Sequence, residues 1–142
     1  MKTIAWLNQK GGVSKTTSAI QTAFGLSKLG KKILLIDLDP QASLSVSLGI
    51  ESPDYSIYDF VKQEVTLDEV SIKKGKVTVI PSSIALSAFE NEFRNAPNKE
   101  FILKKSMRDI KGFDYIFIDC APSLALLTIN ALAAAQEVYI PV

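Results

Sequence analysis

The sequence predicts an α/β domain with a doubly wound, mostly parallel sheet and helices on both faces. Two observations carry this. The apolar segments are short, β-branched or aromatic, and apolar at consecutive positions, the pattern of a strand covered on both sides. Segments with helical spacing lie between them, and such alternation gives parallel strands joined by right-handed crossovers.

The first strand is expected over residues 4–7 and the first helix over 16–29, with Ile20, Ala23, Phe24 and Leu26 apolar and Gly30 as its stop. A second strand spans 33–38. Residues 52–76 are the least regular stretch and should decorate one edge; 57–62 reads as a short amphipathic helix and 67–72 as another turn or two. A strand at 77–80, helices at 84–93 and 101–110, and a strand at 115–118 follow. Residues 123–135 are strongly helical, with Pro122 well placed near the start, and 138–142 read as a last strand.

Composition narrows the function. The 142 residues suit a single domain, and 47% apolar with 22% charged residues excludes long disorder. Sixteen basic against 15 acidic residues leave a net charge of +1, which gives no whole-chain argument for nucleic acid or an anionic membrane. The lone Cys120 excludes an intrachain disulfide framework and a multi-cysteine zinc site. With no histidine, neither a Ser-His-Asp nor a Cys-His mechanism exists in this chain alone. Acid–base work falls to carboxylates, lysines, a metal-bound water or the substrate. No apolar run reaches the roughly 20 residues of a membrane helix, and the N-terminus lacks a signal-peptide pattern. A soluble cytoplasmic protein, with no membrane partner, is the expectation.

The first strand runs into Asn8-Gln9-Lys10-Gly11-Gly12-Val13-Ser14-Lys15-Thr16-Thr17, and a helix pattern follows at once. That is the setting of a phosphate-binding loop. Gly11 and Gly12 let the backbone approach a ligand closely, and the next amides form an anion nest at the positive end of the helix. Residues 10–17 are therefore the candidate nucleotide-binding segment: Lys10, Gly11, Gly12, Val13, Ser14, Lys15, Thr16 and Thr17. Lys15 has the reach for terminal phosphates, and the Thr16 hydroxyl suits magnesium. The strict G-x-x-x-x-G-K-[ST] pattern fails, because Gln9 and Ser14 stand at two glycine positions.

Carboxylates come next. Asp37 and Asp39, in Asp-Leu-Asp-Pro-Gln, close the second strand, and Asp119 closes a later one. Carboxyl ends of strands face the ligand crevice of a doubly wound sheet. Singly each aspartate reads as a turn residue. Jointly, beside a phosphate loop, they read as a magnesium-binding and water-activating constellation.

These motifs resemble the ParA/MinD group of deviant Walker ATPases, whose loop reads K-G-G-x-x-K-[ST], with Lys10 as the extra signature lysine. The family usually has glycine where Ser14 stands. Asn-Gln-Lys-Gly-Gly, Asp-Leu-Asp-Pro-Gln and Ala-Pro-Ser-Leu…Leu-Leu-Thr-Ile-Asn-Ala-Leu resemble the ParA/Soj partition branch more than MinD. The resemblance implies a P-loop NTPase-like fold, ATP and Mg2+ as cofactors, and weak Mg-dependent ATP hydrolysis acting as a dimer switch in chromosome or plasmid segregation. It implies catalytic roles for Lys10, Lys15 and Asp39. Asp39 would polarise the attacking water, Asp37 support the magnesium shell, and Asp119 reach magnesium through water. It further implies a nucleotide-sandwich homodimer in which Lys10 touches the partner's phosphates, a centromere-binding partner protein, non-specific DNA and nucleoid association. Cys120 reads as a small packed side chain, not a reactive thiol.

Lys104, Lys105, Arg108 and Lys111 would share one face of a 101–110 helix, either a solvated face or a phosphate-binding stripe. Family members continue well past this length, so C-terminal strands are expected to be missing and an apolar sheet edge exposed. Two other readings stay open: a non-catalytic P-loop fold fragment serving as an interaction module, and a MinD-like ATPase. An iron–sulfur reductase on the same loop would need two cysteines per subunit.

Overall fold

The computed structural model describes residues 1–7, 13–123 and 125–141, leaving aside the side chains of Val13 and Ser14. Its elements are β1 (Lys2–Trp6), α1 (Val13–Lys28), β2 (Ile33–Leu38), α2 (Ser43–Ser47), α3 (Ile57–Val61), α4 (Leu67–Val70), β3 (Ile72–Lys74) and β4 (Val77–Ile80). A 3-10 turn (Ile84–Ala88) then leads into α5 (Phe89–Phe93), and another (Lys99–Phe101) into α6 (Ile102–Ser106). The elements β5 (Tyr115–Cys120), α7 (Leu126–Ala134) and β6 (Glu137–Tyr139) follow. The six strands form one sheet in the order β3-β4-β2-β5-β1-β6. Neighbours run parallel except for the antiparallel β3–β4 pair.

The consecutive apolar runs are explained by two core layers. Ile33 and Leu35 of β2 point to one side, where Ala19 and Ala23 of α1 pack with Ile4, Trp6 and Phe117. Leu34, Ile36 and Leu38 point to the other, among Ile57 and Phe60 of α3, Phe89 of α5, Leu103 of α6 and Leu127 of α7. Alternate residues of a strand face opposite sides, so a strand sandwiched by helices needs apolar residues throughout. Each large side chain fully buried this way contributes about 1.5–3 kcal/mol.

Several expectations need correcting. The first helix begins at Val13, earlier than residue 16. Ile72 leaves the expected turn at 67–72 and joins Lys73 and Lys74 in the edge strand β3, which turns back on β4 through Gly75 at φ 61°. Only that part of the irregular stretch is an edge, because α3 sends Ile57, Phe60 and Val61 into the core. Capping boxes start both short helices there, Ser56 with Asp59 and Thr66 with Glu69. The 101–110 helix shrinks to Ile102–Ser106. Beyond it the bonds tighten to Arg108 N–H on Lys105 O and Ile110 N–H on Met107 O, with Met107 and Ile110 buried. Lys104, Lys105, Arg108 and Lys111 therefore do not share one helical face. The last strand is Glu137–Tyr139, parallel to β1, with Val138 and Tyr139 exposed on the rim; Val142 lies outside the described residues.

Candidate nucleotide site at the strand ends

Parallel pairing sets the rim. Asp119 lies opposite Trp6 on β1 and opposite Asp37 on β2. The ends of three neighbouring strands thus meet where α1 begins, beside the sequence-predicted loop. Lys10, Gly11 and Gly12 lie outside the described residues, as do the side chains of Val13 and Ser14.

Lys15 and Thr16, in the first turn of α1, both face Asp119. The Lys15 ammonium pairs with Oδ1, and the Thr16 hydroxyl donates to Oδ2 at 2.9 Å. Lys15 is 4% and Asp119 1% exposed, so this is a buried ion pair. Burial pushes the Asp119 carboxyl above its usual range, opposed by the Lys15 charge and by hydrogen bonds from Lys15 and Thr16. Thr17 is exposed on the same turn.

Asp37 is fully buried. Its Oδ2 accepts the Ser45 hydroxyl at 2.6 Å and the Ser45 N–H at 2.9 Å. Its Oδ1 accepts the Asp39 N–H at 3.2 Å. Burial raises its carboxyl to about 7, with the Ser45 bonds pulling the other way and the Asp119 charge adding to the rise. Asp39, also buried, accepts the Gln41 N–H at 2.9 Å in a tight turn. Its charge is felt at Asp119. Among the described residues, no three aspartate, glutamate or cysteine side chains close into a metal cage.

Sequence reasoning missed two residues here. Ser45 lies in a stretch without periodic pattern, and its partners are set by tertiary folding. Trp6 is buried edge-on against Phe117 (5.4 Å between ring centres) and Tyr139 (5.1 Å), with no hydrogen-bond partner for Nε1 among the described residues. Cys120 is wholly buried, and burial pushes its thiol up to about 12, as suits a packed side chain.

The family model described as AAA domain, AAA_31, matches residues 1–142. The chain belongs to this family. This AAA domain is 43% identical over 143 residues to the chromosome-partitioning ATPase Soj of Treponema pallidum, covering 99% of this chain and 56% of that protein. It is 43% identical over 148 residues to the sporulation initiation inhibitor protein Soj of Bacillus subtilis, covering 99% of this chain and 58% of that protein. The resemblance drawn from the three motifs therefore holds. Cobyrinic acid a,c-diamide synthase from Mycobacterium smegmatis, solved with an ATP analog and magnesium, superimposes with a TM-score of 0.96 at 34% identity. That match covers 100% of this chain and 58% of the other, and it supports the P-loop NTPase-like architecture. The chain spans a little over half the length of these curated relatives.

Proposed function

We propose that this AAA domain is the nucleotide-binding part of a ParA/Soj-type partition ATPase, binding ATP with magnesium and hydrolysing it slowly. The observation that carries this is the buried Lys15–Asp119 pair, with the Thr16 hydroxyl on the same carboxylate, at the mouth of a Gly-Gly loop sequence. The donor set fits the ligand. Hydroxyl and carboxylate oxygens suit a hard cation, and a buried ammonium at a helix start suits phosphate.

When bound, Mg2+ would supply neutralisation of the charge that develops on the phosphates. The chain's own residues then have distinct tasks. Lys15 shifts its ammonium from Asp119 onto the phosphates, while the loop amides of residues 10–17 cradle them. Thr16 through its hydroxyl oxygen and Asp119 through a water would hold the cation. Asp39 orients the attacking water. Asp37 accepts the Asp39 N–H and so supports Asp39, and on the same reading it would support the magnesium shell. Lys10 reaches the phosphates of a second copy in a nucleotide-sandwich dimer.

The same reading makes the whole protein a cytoplasmic, nucleoid-associated switch in chromosome or plasmid segregation, with a centromere-binding protein and non-specific DNA as partners. The relatives named for chromosome partitioning support it. Phosphate release with MgATP tests it. Wild type should turn over, and Lys15→Ala and Asp39→Ala should each lose at least about a hundredfold, as removal of a charge-stabilising group does. A wild type that binds MgATP and releases no phosphate would make the chain a non-catalytic module instead.

A further inference from the structure

Ser45 is wholly buried, and its hydroxyl is used in both directions. It donates to Asp37 Oδ2 at 2.6 Å and accepts the Ser82 N–H at 2.9 Å. Ser82 follows β4 and lies 37 residues from Ser45 in the chain, so one hydroxyl joins the ends of β4 and β2. The other oxygen of Asp37 takes the Asp39 N–H, and Asp39 in turn holds the Gln41 N–H. A serine in the first turn of a short helix usually spends its hydroxyl locally or on solvent. Here it does neither, and α2 is left without a side-chain cap. A buried hydroxyl satisfied as both donor and acceptor has one geometry, and it transmits that geometry to whatever it holds.

We propose that Ser45 is the positioning residue for Asp39: its hydroxyl, clamped between the Ser82 N–H and Asp37, fixes the backbone from which the Asp39 carboxylate projects. This rests on the reading of Asp39 as the group that orients the attacking water. Ser45 acts on Asp39 through Asp37.

The test compares Ser45→Ala with Ser45→Thr in the full chain. The first readout is amide exchange at Asp39 and Gln41 in nucleotide-free protein, with the Ile118 amide in β5 as an internal control. The second is the split between MgATP dissociation constant and turnover. Ser45→Ala should exchange at least about tenfold faster at Asp39 and Gln41 with Ile118 unchanged, the scale set by losing a hydrogen bond to a charged group. Its turnover should fall by about tenfold while MgATP affinity moves less than about twofold, the signature of an interaction that matters only during reaction. Ser45→Thr, which keeps the hydroxyl, should restore both readouts.

Unchanged exchange in Ser45→Ala overturns the proposal. So does a parallel loss of affinity and turnover, which would mark a merely structural role. Should Ser45→Ala fail to fold, Ser45→Cys takes its place, having similar volume and a weak donor; wild-type behaviour there would show that shape, not the hydrogen bond, matters. If wild type shows no hydrolysis, the ATPase reading fails by itself, and the exchange experiment still decides whether Ser45 sets the Asp39 backbone.

Discussion

Lys15 and Asp119, 104 residues apart in the chain, form a buried ion pair where α1 meets the tip of β5. Such a pair is weak support for stability in itself, because desolvating both ions offsets most of their attraction. On the proposed nucleotide-binding reading its value is to hold an ammonium ready for ligand phosphates, which would replace the carboxylate as its partner without further loss of hydration.

That relationship predicts an asymmetric double-mutant cycle. Asp119→Leu strands a buried lysine charge and should cost about 3–5 kcal/mol in the absence of nucleotide. The joint Lys15→Met and Asp119→Leu replacement should cost much less than the two single changes added together, since no charge is left unpaired. Urea unfolding of the four proteins measures this. Additive losses would mean that the two groups do not depend on each other.

Ala42 offers a gain in stability. It sits at φ 57° and ψ 35° ahead of α2 and makes no side-chain capping bond. The left-handed region costs a residue with a Cβ roughly 1–2 kcal/mol, and glycine gives part of that back through its freer unfolded chain. Ala42→Gly should therefore stabilise by about 0.5–1 kcal/mol. Ala42→Val, with branching at Cβ, should destabilise. Thermal unfolding of the two variants should move in opposite directions; a drop for Ala42→Gly would mean that the methyl group contributes packing worth more than the strain.

Cys120 should be inert in the native state. It has no exposed surface, and burial raises its thiol to about 12, so thiolate is scarce at neutral pH. A thiol reagent at pH 8 should label it only as fast as the protein opens, and the rate should track global stability across the Ala42 variants. Labelling within mixing time in folded protein would place the thiol at the surface.

The strands were legible because β2 and β5 are covered on both faces, which confines their aspartates to the C-terminal ends and leaves the rest of each run apolar. The convergence of Lys15, Thr16 and Asp119 was legible for a related reason: parallel strands bring the start of α1, just after β1, and the strand-end carboxylates to the same edge of the sheet. What escaped notice was short or non-local. Ile-Lys-Lys in β3 has too few residues to show a period, and its pairing is decided by β4. Ser-Leu-Ser-Val-Ser in α2 has weak helix propensity and forms where Asp37 holds it. Leu103, Met107 and Ile110 carry helical spacing, yet tight turns bury them equally well. Ser45 could not be found by spacing, because its significance comes from Ser82, just past the end of β4.

Asn130 shows how a residue of the motif-bearing segment Leu-Leu-Thr-Ile-Asn-Ala-Leu acts through folding rather than chemistry. It is wholly buried in α7. Its Oδ1 accepts the Leu103 N–H at 3.0 Å, and its Nδ2 donates to Lys99 O at 2.9 Å and to Leu126 O at 3.0 Å. The first N–H groups of α6 and the carbonyl before it have no partner within that short helix, so the amide satisfies them across the interface. Asn130→Ala leaves a buried donor and acceptor unpaired and should cost about 2–4 kcal/mol. Asn130→Leu keeps the volume yet leaves the same groups unpaired, so filling the space should not rescue stability. Asn130→Asp should be at least as damaging, because it loses the donor to Lys99 and Leu126 and adds a buried charge. Denaturant unfolding gives the order of the three, and amide exchange at Leu103 should accelerate in the alanine and leucine variants. Near-native stability for Asn130→Leu would show that α7 and α6 are held by apolar packing alone.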